Sequence, residues 1–383
     1  MGKVIEQKRC KGDSYLVSTV IVNGYKPLVV GERRCLSYKN GKIFTHFNIT
    51  DKPVYFGKLP MTAKQRLLSM FRMTERMFRL EPRMALEVGE GKYILSFCGA
   101  IYCLDIHEGT ILREHNYRPG MNNPLNFCEI EGIDGFDNCI AYGEYWGNTK
   151  RETVSIYTRR ERSWELAYTF PSGTVQHIHG LVADKYRNCV LILTGDKDEE
   201  SGIWVAKNNF KEVEPILIGS QRYRSCMAFP LEEGILYATD TPLEKNILAI
   251  ATKEKNGWAE RVLYDMPGPC IYGTAAENNY VFATSVEPDS RITGVKYWFT
   301  YQLGSGVTVR KSHIIIGNLY DGFKNAIGYE KDILPMLLFQ FGNVQFPSGV
   351  LRNGSIIMYP VSVRKYDGKT VIFQCQNRIL STK

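Results

Sequence analysis

The chain has 383 residues, 44% of them hydrophobic, and a formal net charge of +8, with Lys and Arg dispersed rather than massed. That is enough apolar material for a sizeable core in a globular protein, and the absence of a basic cluster in a recognisable module excludes nucleic acid as the expected partner. The opening residues MGKVIEQKRCKGDSYL lack a secretory signal, Glu6 breaks the myristoylation pattern, and no run of about eighteen uncharged apolar residues occurs. No membrane span is therefore expected, and the compartment is cytoplasmic, or periplasmic or extracellular if a leader has been removed.

From the N-terminus, short β-branched and aromatic runs alternate with Gly, Asn, Asp and Pro. YLVSTVIV (15–22) opens the series, and after it come YILSF (93–97), AIYCLDI (100–106), TVSIYT (153–158), CVLILTGD (189–196), GILYATD (234–240), YVFATS (280–285) and GSIIMYPVSV (354–363). Such writing predicts strands joined by turns, hence an all-β chain. The exception is PMTAKQRLLSMFRMTERMFRL (60–80), where Leu67, Leu68, Phe71 and Phe78 recur at helical spacing behind Thr62 as N-cap and ahead of Pro82. One amphipathic helix is predicted near 61–80, inserted at 60–82. Its Met and Phe stripe should dock on the β-body, leaving Lys64, Arg66, Arg72, Arg76 and Arg79 to solvent or a neighbour.

The segments 139–170, 189–219, 234–264 and 280–306 share one plan: apolar strand, polar turn, second strand, turn often with Trp, third strand. A period of about 45 residues fits the blade of a β-propeller, whose small sheets cover their faces by stacking around an axis. Blocks near 84–116, 126–170, 176–219, 224–265, 270–316 and 335–376 give a six-bladed propeller spanning 1–383 as one domain. The N-terminal strands (15–49) then close the last blade, or supply a seventh. The ten cysteines, none in a Cys-x-x-Cys pair, are expected as reduced core residues, with zinc binding unlikely on that pattern.

In a propeller, the ends of successive inner strands converge on one funnel. The inner-strand ends are expected at Glu144 in YGEY, Asp196 in TGD, Asp240 in ATDT, and Ser285 with Glu287 in TSVEP. Ahead of inner strands lie His177 and His179 in QHIHG, and Gln221, Arg222, Tyr223 and Arg224 in SQRYRS. Arg forks pair with sugar carboxylates, Asp, Glu and His exchange hydrogen bonds with ring hydroxyls, and Tyr145, Trp146, Tyr223 and Tyr272 can stack on sugar faces. His177, His179, Glu144, Tyr223 and Asp240 are accordingly the catalytic candidates. Arg222, Arg224, Asp196, Gln221, Tyr145 and Glu287 are the substrate-binding ones. Alternation along a strand puts both imidazoles on one face. No cofactor is expected; a divalent metal at His177 and His179 is the lesser alternative, since it needs further ligands.

GEYWGNTKRETVSIY, QHIHGLVADKYRNCVLILTGDKDEESGIW, GSQRYRSCMAFP, YATDTPLEKN and TSVEPD together resemble the bacterial sialidase-like, BNR-repeat propellers, over residues 84–300. The resemblance implies a six-bladed sialidase-like fold and a carbohydrate-related role, often with surface polysaccharides. The Asp-box of such repeats survives only in eroded form at YTRRERSW (157–164) and ATKEKNGW (251–258), and Arg222, Arg224 and Arg291 are candidates for an arginine triad by position alone. The expected function is action on an acidic, uronate- or sialate-like oligo- or polysaccharide, as glycoside hydrolase or polysaccharide lyase. The alternative is a non-catalytic propeller that binds a glycan or a protein.

Overall fold

The computed structural model describes residues 4–9, 15–351 and 354–377, with side chains for 20–22, 24–351 and 354–373; Cys10 and the side chain of Cys375 lie outside them. Among the described residues, seven antiparallel sheets form a β-propeller of seven blades. The sheets begin at Lys26–Val30, Met84–Gly89, Cys128–Ile130, His177–Asp184, Ser225–Pro230, Cys270–Ala276 and Asn343–Gln345. Opening strands of neighbouring blades pack on one another around the axis, as His177–Asp184 does on both Cys128–Ile130 and Ser225–Pro230.

Second and third strands such as Cys189–Gly195 and Ala100–Asp105 are buried at every residue. Each is covered on both faces by neighbouring blades, which is why they read as unbroken apolar runs rather than as alternation. Seven apolar layers result, one between each pair of adjacent blades. The outer strands, such as Ser163–Phe170, are exposed or half-buried along most of their length.

The expected count of six blades is corrected to seven, because the N-terminal region does both jobs assigned to it as alternatives. Tyr15–Asn23 pairs with Thr370–Asn377, with Ile21 opposite Val371, and carries Val4–Arg9 outside it. Residues 26–58 then build a blade of four five-residue strands. Those strands are joined without the Trp-bearing turns that mark the later repeats, so the unit merges with the closing strand when read as a sequence.

The helical insertion is also corrected. Thr62 caps α1 (Ala63–Leu68) as expected, and Gln65 completes a capping box, but the chain breaks before α2 (Arg72–Met77). The apolar stripe faces out: Leu67, Met70, Phe71, Met73 and Phe78 are all at least half exposed, whereas Arg76 is buried. Arg72 reaches Glu81 at 2.7 Å, Asp367 at 3.1 Å and Glu75 at 3.3 Å, and Arg76 reaches Asp332 at 2.7 Å. Burying these guanidiniums against carboxylates of the insertion itself, the last blade and its approach outweighs burial of the flexible Met and Phe side chains, since an unpaired buried charge costs more than an exposed apolar side chain. Of the cysteines described, Cys98 is exposed and the rest are buried or partly buried, all as free thiols. No helix among the described residues is long and apolar enough to cross a membrane.

Candidate functional site

Within each blade the first strand runs antiparallel to the second, so the entry of one and the exit of the other share an end of the propeller. His177 pairs with Gly195, Ser225 with Thr239, and Cys270 with Thr284, which places Asp196, Asp240 and Ser285 just past those exits. The acidic positions therefore end second strands, not the innermost ones as the sequence suggests. The innermost strand carries His177 and His179 itself. Its ladder skips a residue between Ile178 and Gly180, and matching shifts occur between Ser225 and Met227 and between Cys270 and Tyr272. Such β-bulges re-aim the extra residue. His179 and Cys226 are the residues turned in this way.

Both imidazoles are buried. His177 Nδ1 lies 2.7 Å from the Trp146 carbonyl oxygen, and His179 Nδ1 lies 3.2 Å from that of Ser225. A carbonyl only accepts, so each Nδ1 carries the proton and donates it. The two Nε2 atoms face each other at 2.9 Å, and Asp196 Oδ1 stands 3.2 Å from His179 Nε2 and 3.5 Å from His177 Nε2. Gly195 makes room for this, because a Cβ there would meet His179 Cε1 at 2.5 Å.

Arg224 Nη2 is 2.9 Å from Asp196 Oδ1 and 3.9 Å from Asp240 Oδ2. Gln221 and Arg224 donate to the Asp196 carbonyl at 2.8 and 3.1 Å, and Gln176 donates to its carboxylate at 3.2 Å. Cys226 Sγ reaches Asp240 Oδ2 at 3.1 Å, and Ser285 donates to Glu287. Burial opposes ionisation of Asp196, but the Arg224 guanidinium leads the causes that outweigh it and hold the carboxyl well below its ordinary range. Burial lowers the pKa of His179, offset only in part by Asp196. Burial and the Asp240 charge push Glu287 up to about 8. Asp240 Oδ1 and Arg224 Nε are buried with no hydrogen-bond partner among the described residues.

An open cleft of about 640 Å³ leads to the cluster, lined by Asp196, Gln221, Arg224, Glu244, Glu287 and Tyr297 among others. The structure thus gathers His177, His179, Asp196, Asp240, Glu287, Arg224, Gln221 and Tyr145, whose ring centroid is 4.5 Å from that of His177. Three predicted residues do not join them. Glu144 is tied to Arg118 and accepts from the Ser155 amide at 2.8 Å, which fixes the turn after its strand. Arg222 points outward to Glu260, and Tyr223 packs in the apolar layer between the fourth and fifth blades. Arg291 is exposed and paired with Asp289, so it forms no arginine triad with the others.

The residue that sequence reading misses is Arg83. It lies 5.5 Å above the Tyr145 ring, beside Tyr272 and Cys226, and has no carboxylate partner among the described residues. It precedes the opening strand of the second blade, where Met84 pairs with Ser96, and so occupies the place that His177 holds in the fourth. Superposing strand entries blade by blade would have found it.

No family model and no curated protein matches the chain. Among solved structures it is similar to an oligogalacturonate lyase from Vibrio parahaemolyticus, with a TM-score of 0.53 and 9% identity over 98% of this chain and 97% of that one. It is similar to the WD40 β-propeller domain of Doa1 (0.53, 10%, 97% and 96%) and to a chain of the mitotic checkpoint complex (0.51, 6%, 93% and 92%). At such identities the likeness lies in the fold. The resemblance to sialidase-like propellers accordingly extends to the propeller architecture, with seven blades in place of six.

Proposed function

We propose that the funnel binds an acidic saccharide and cleaves it by elimination beside a uronate carboxylate. The observation that supports this most is Arg83, a guanidinium with no carboxylate of its own, set between Tyr145 and Tyr272 at the axis. A planar fork with donors beyond the one Tyr272 engages suits a carboxylate, and its charge would stabilise the enolate-like state formed as the neighbouring C–H bond breaks. Tyr272, in contact with Arg83, would take that proton after giving its own phenolic proton to solvent. The electron pair forms the C=C bond and expels the glycosidic oxygen, to which Glu287, kept protonated by burial, can return a proton. The neighbour named an oligogalacturonate lyase is consistent with this class of substrate.

Elimination is favoured over hydrolysis because Glu144, one of the carboxylates a hydrolase would use, is committed to Arg118. The test is a screen of uronate polymers and sialylated glycans, following ultraviolet absorbance of unsaturated product alongside new reducing ends. Wild type should give both signals on a uronate polymer, and Arg83→Ala should lower the rate by about a hundredfold or more. Reducing ends without unsaturation would instead mean hydrolysis. Glycan or protein binding with no turnover would favour an interaction platform, a reading supported by the exposed apolar residues of the helical insertion.

A further inference from the structure

Three lone-pair-bearing atoms meet at the His177, His179 and Asp196 corner, and only the Asp196 oxygen has a cation beside it, Arg224. Because both Nδ1 atoms donate to backbone carbonyls, each neutral ring presents a bare lone pair at Nε2. Those lone pairs face each other at 2.9 Å, and Asp196 Oδ1 closes the triangle at 3.2 and 3.5 Å. Asp196 Oδ1 also takes Arg224 Nη2 at 2.9 Å, but with both Nδ1 protons committed to carbonyls the two Nε2 lone pairs have no donor between them, and burying them unsatisfied is costly.

We propose that His177 Nε2, His179 Nε2 and Asp196 Oδ1 hold one divalent transition-metal ion. Metal ligands of this type bind at about 2.1 Å, which separates neighbouring donor atoms by about 3.0 to 3.4 Å in octahedral or tetrahedral sites. The three observed separations lie around that range. A circle through the three atoms has a radius of about 1.9 Å, so an ion about 2.1 Å from each stands about 1 Å out of their plane.

The surroundings match what such a site requires. Each ring is oriented through its other nitrogen by a carbonyl, the usual outer support of a metal-bound imidazole. Two imidazoles and one carboxylate leave coordination positions open, and because Asp196 also lines the cleft, those positions face a ligand entering there. The cleft carries Asp198, Glu199 and Glu244 besides Asp196, against Lys197 and Arg224. A bound dication offsets that excess, so the ligand it would take is an oxyanion or vicinal hydroxyl pair of a sugar acid. A second set, His179, Cys226 and Asp240, shares one imidazole with the first and cannot be filled through the same Nε2 at the same time.

The inference does not depend on the elimination chemistry, and its experiment contains no saccharide. Purified full-length protein, stripped with chelator and dialysed, is titrated with zinc and separately with manganese by calorimetry, and metal content is then counted after gel filtration. One equivalent of either metal should bind. Asp196→Asn, which keeps shape and removes charge, should weaken binding at least tenfold, as should His177→Ala, while Arg291→Ala should bind like wild type. Cobalt loading should give visible absorption that disappears in His177→Ala. Absence of saturable binding by wild type, or equal binding by Asp196→Asn and His177→Ala with native far-ultraviolet dichroism, would overturn the proposal and assign the corner to a trapped proton. A metal-binding protein inactive on every uronate polymer would leave this site standing and remove the elimination reading alone.

Discussion

Two buried clusters of charge sit in this propeller, and they are built on opposite rules. Under the helical insertion, each carboxylate has direct donors: Glu81 takes Arg72 and the Tyr359 hydroxyl at 2.6 Å, Glu75 takes Arg72 and the Tyr38 hydroxyl at 3.0 Å, and Asp367 takes Arg72, Arg76 and the Ser362 amide. At the funnel, among the described residues, Asp240 Oδ1 and Arg224 Nε have no hydrogen-bond partner, Arg83 has no carboxylate, and two imidazole lone pairs confront each other. A satisfied ionic network fixes one structure; an unsatisfied one is retained where something else completes it. The first cluster therefore reads as a clamp tying residues 60–82 to the last blade, and the second as a site.

This contrast can be broken by substitution. Arg72→Met should have the largest effect, about 3 to 5 kcal/mol lost in denaturant unfolding, because it strips the shared partner from Glu75, Glu81 and Asp367. A loss below about 1 kcal/mol would mean that the clamp is not structural.

Gly195→Ala should cost about 1 to 3 kcal/mol by forcing a Cβ against His179. It should also reduce metal uptake, measured on the folded variant.

Glu287→Gln should act in the opposite direction at alkaline pH. The folded-state pKa of Glu287, about 8, lies above the ordinary 4.5, so the folded protein holds the proton more tightly than the unfolded chain. Stability from this group is complete below about pH 4.5 and is lost as pH rises through about 8. The variant has no such loss, and at pH 9 it should exceed wild type by more than about 1 kcal/mol. Parallel melting curves at pH 5 and pH 9 check this, and an equal offset at both values would contradict it.

The smallest effect belongs to the outward stripe. Phe71→Ser and Met73→Ser should each change stability by less than about 0.5 kcal/mol. A docked stripe would lose several times more.

Much of the fold is legible locally. CVLILTGD and GILYATD announce buried strands by apolar runs bounded by turn formers, and the spacing of such units predicts a propeller. The meeting of His177 and Asp196 is foreshadowed by QHIHG and TGD as well, since antiparallel pairing brings those strand ends together. Arg83 was hidden because it stands on the far side of Pro82 from the helical segment, in a stretch without strand character until Met84. Glu144 and Arg222 were overvalued for the opposite reason: their partners, Arg118 and Glu260, are 26 and 38 residues away, and nothing near them in sequence shows that their charges are already used.

By itself, then, the amino-acid sequence determined what depends on neighbours within a few residues: strands, turns, the Thr62 cap and the blade period. Tertiary structure decided whatever depends on long-range pairing. Seven blades rather than six follow from Tyr15–Asn23 finding Thr370–Asn377 at the other end of the chain. The orientation of the helical insertion follows from Arg72 and Arg76 meeting Asp367 and Asp332, because pairing buried charge outweighs hiding a Met and Phe stripe. The site follows from a one-residue bulge that turns His179 toward His177, a distinction set by ladder register, which no local pattern encodes.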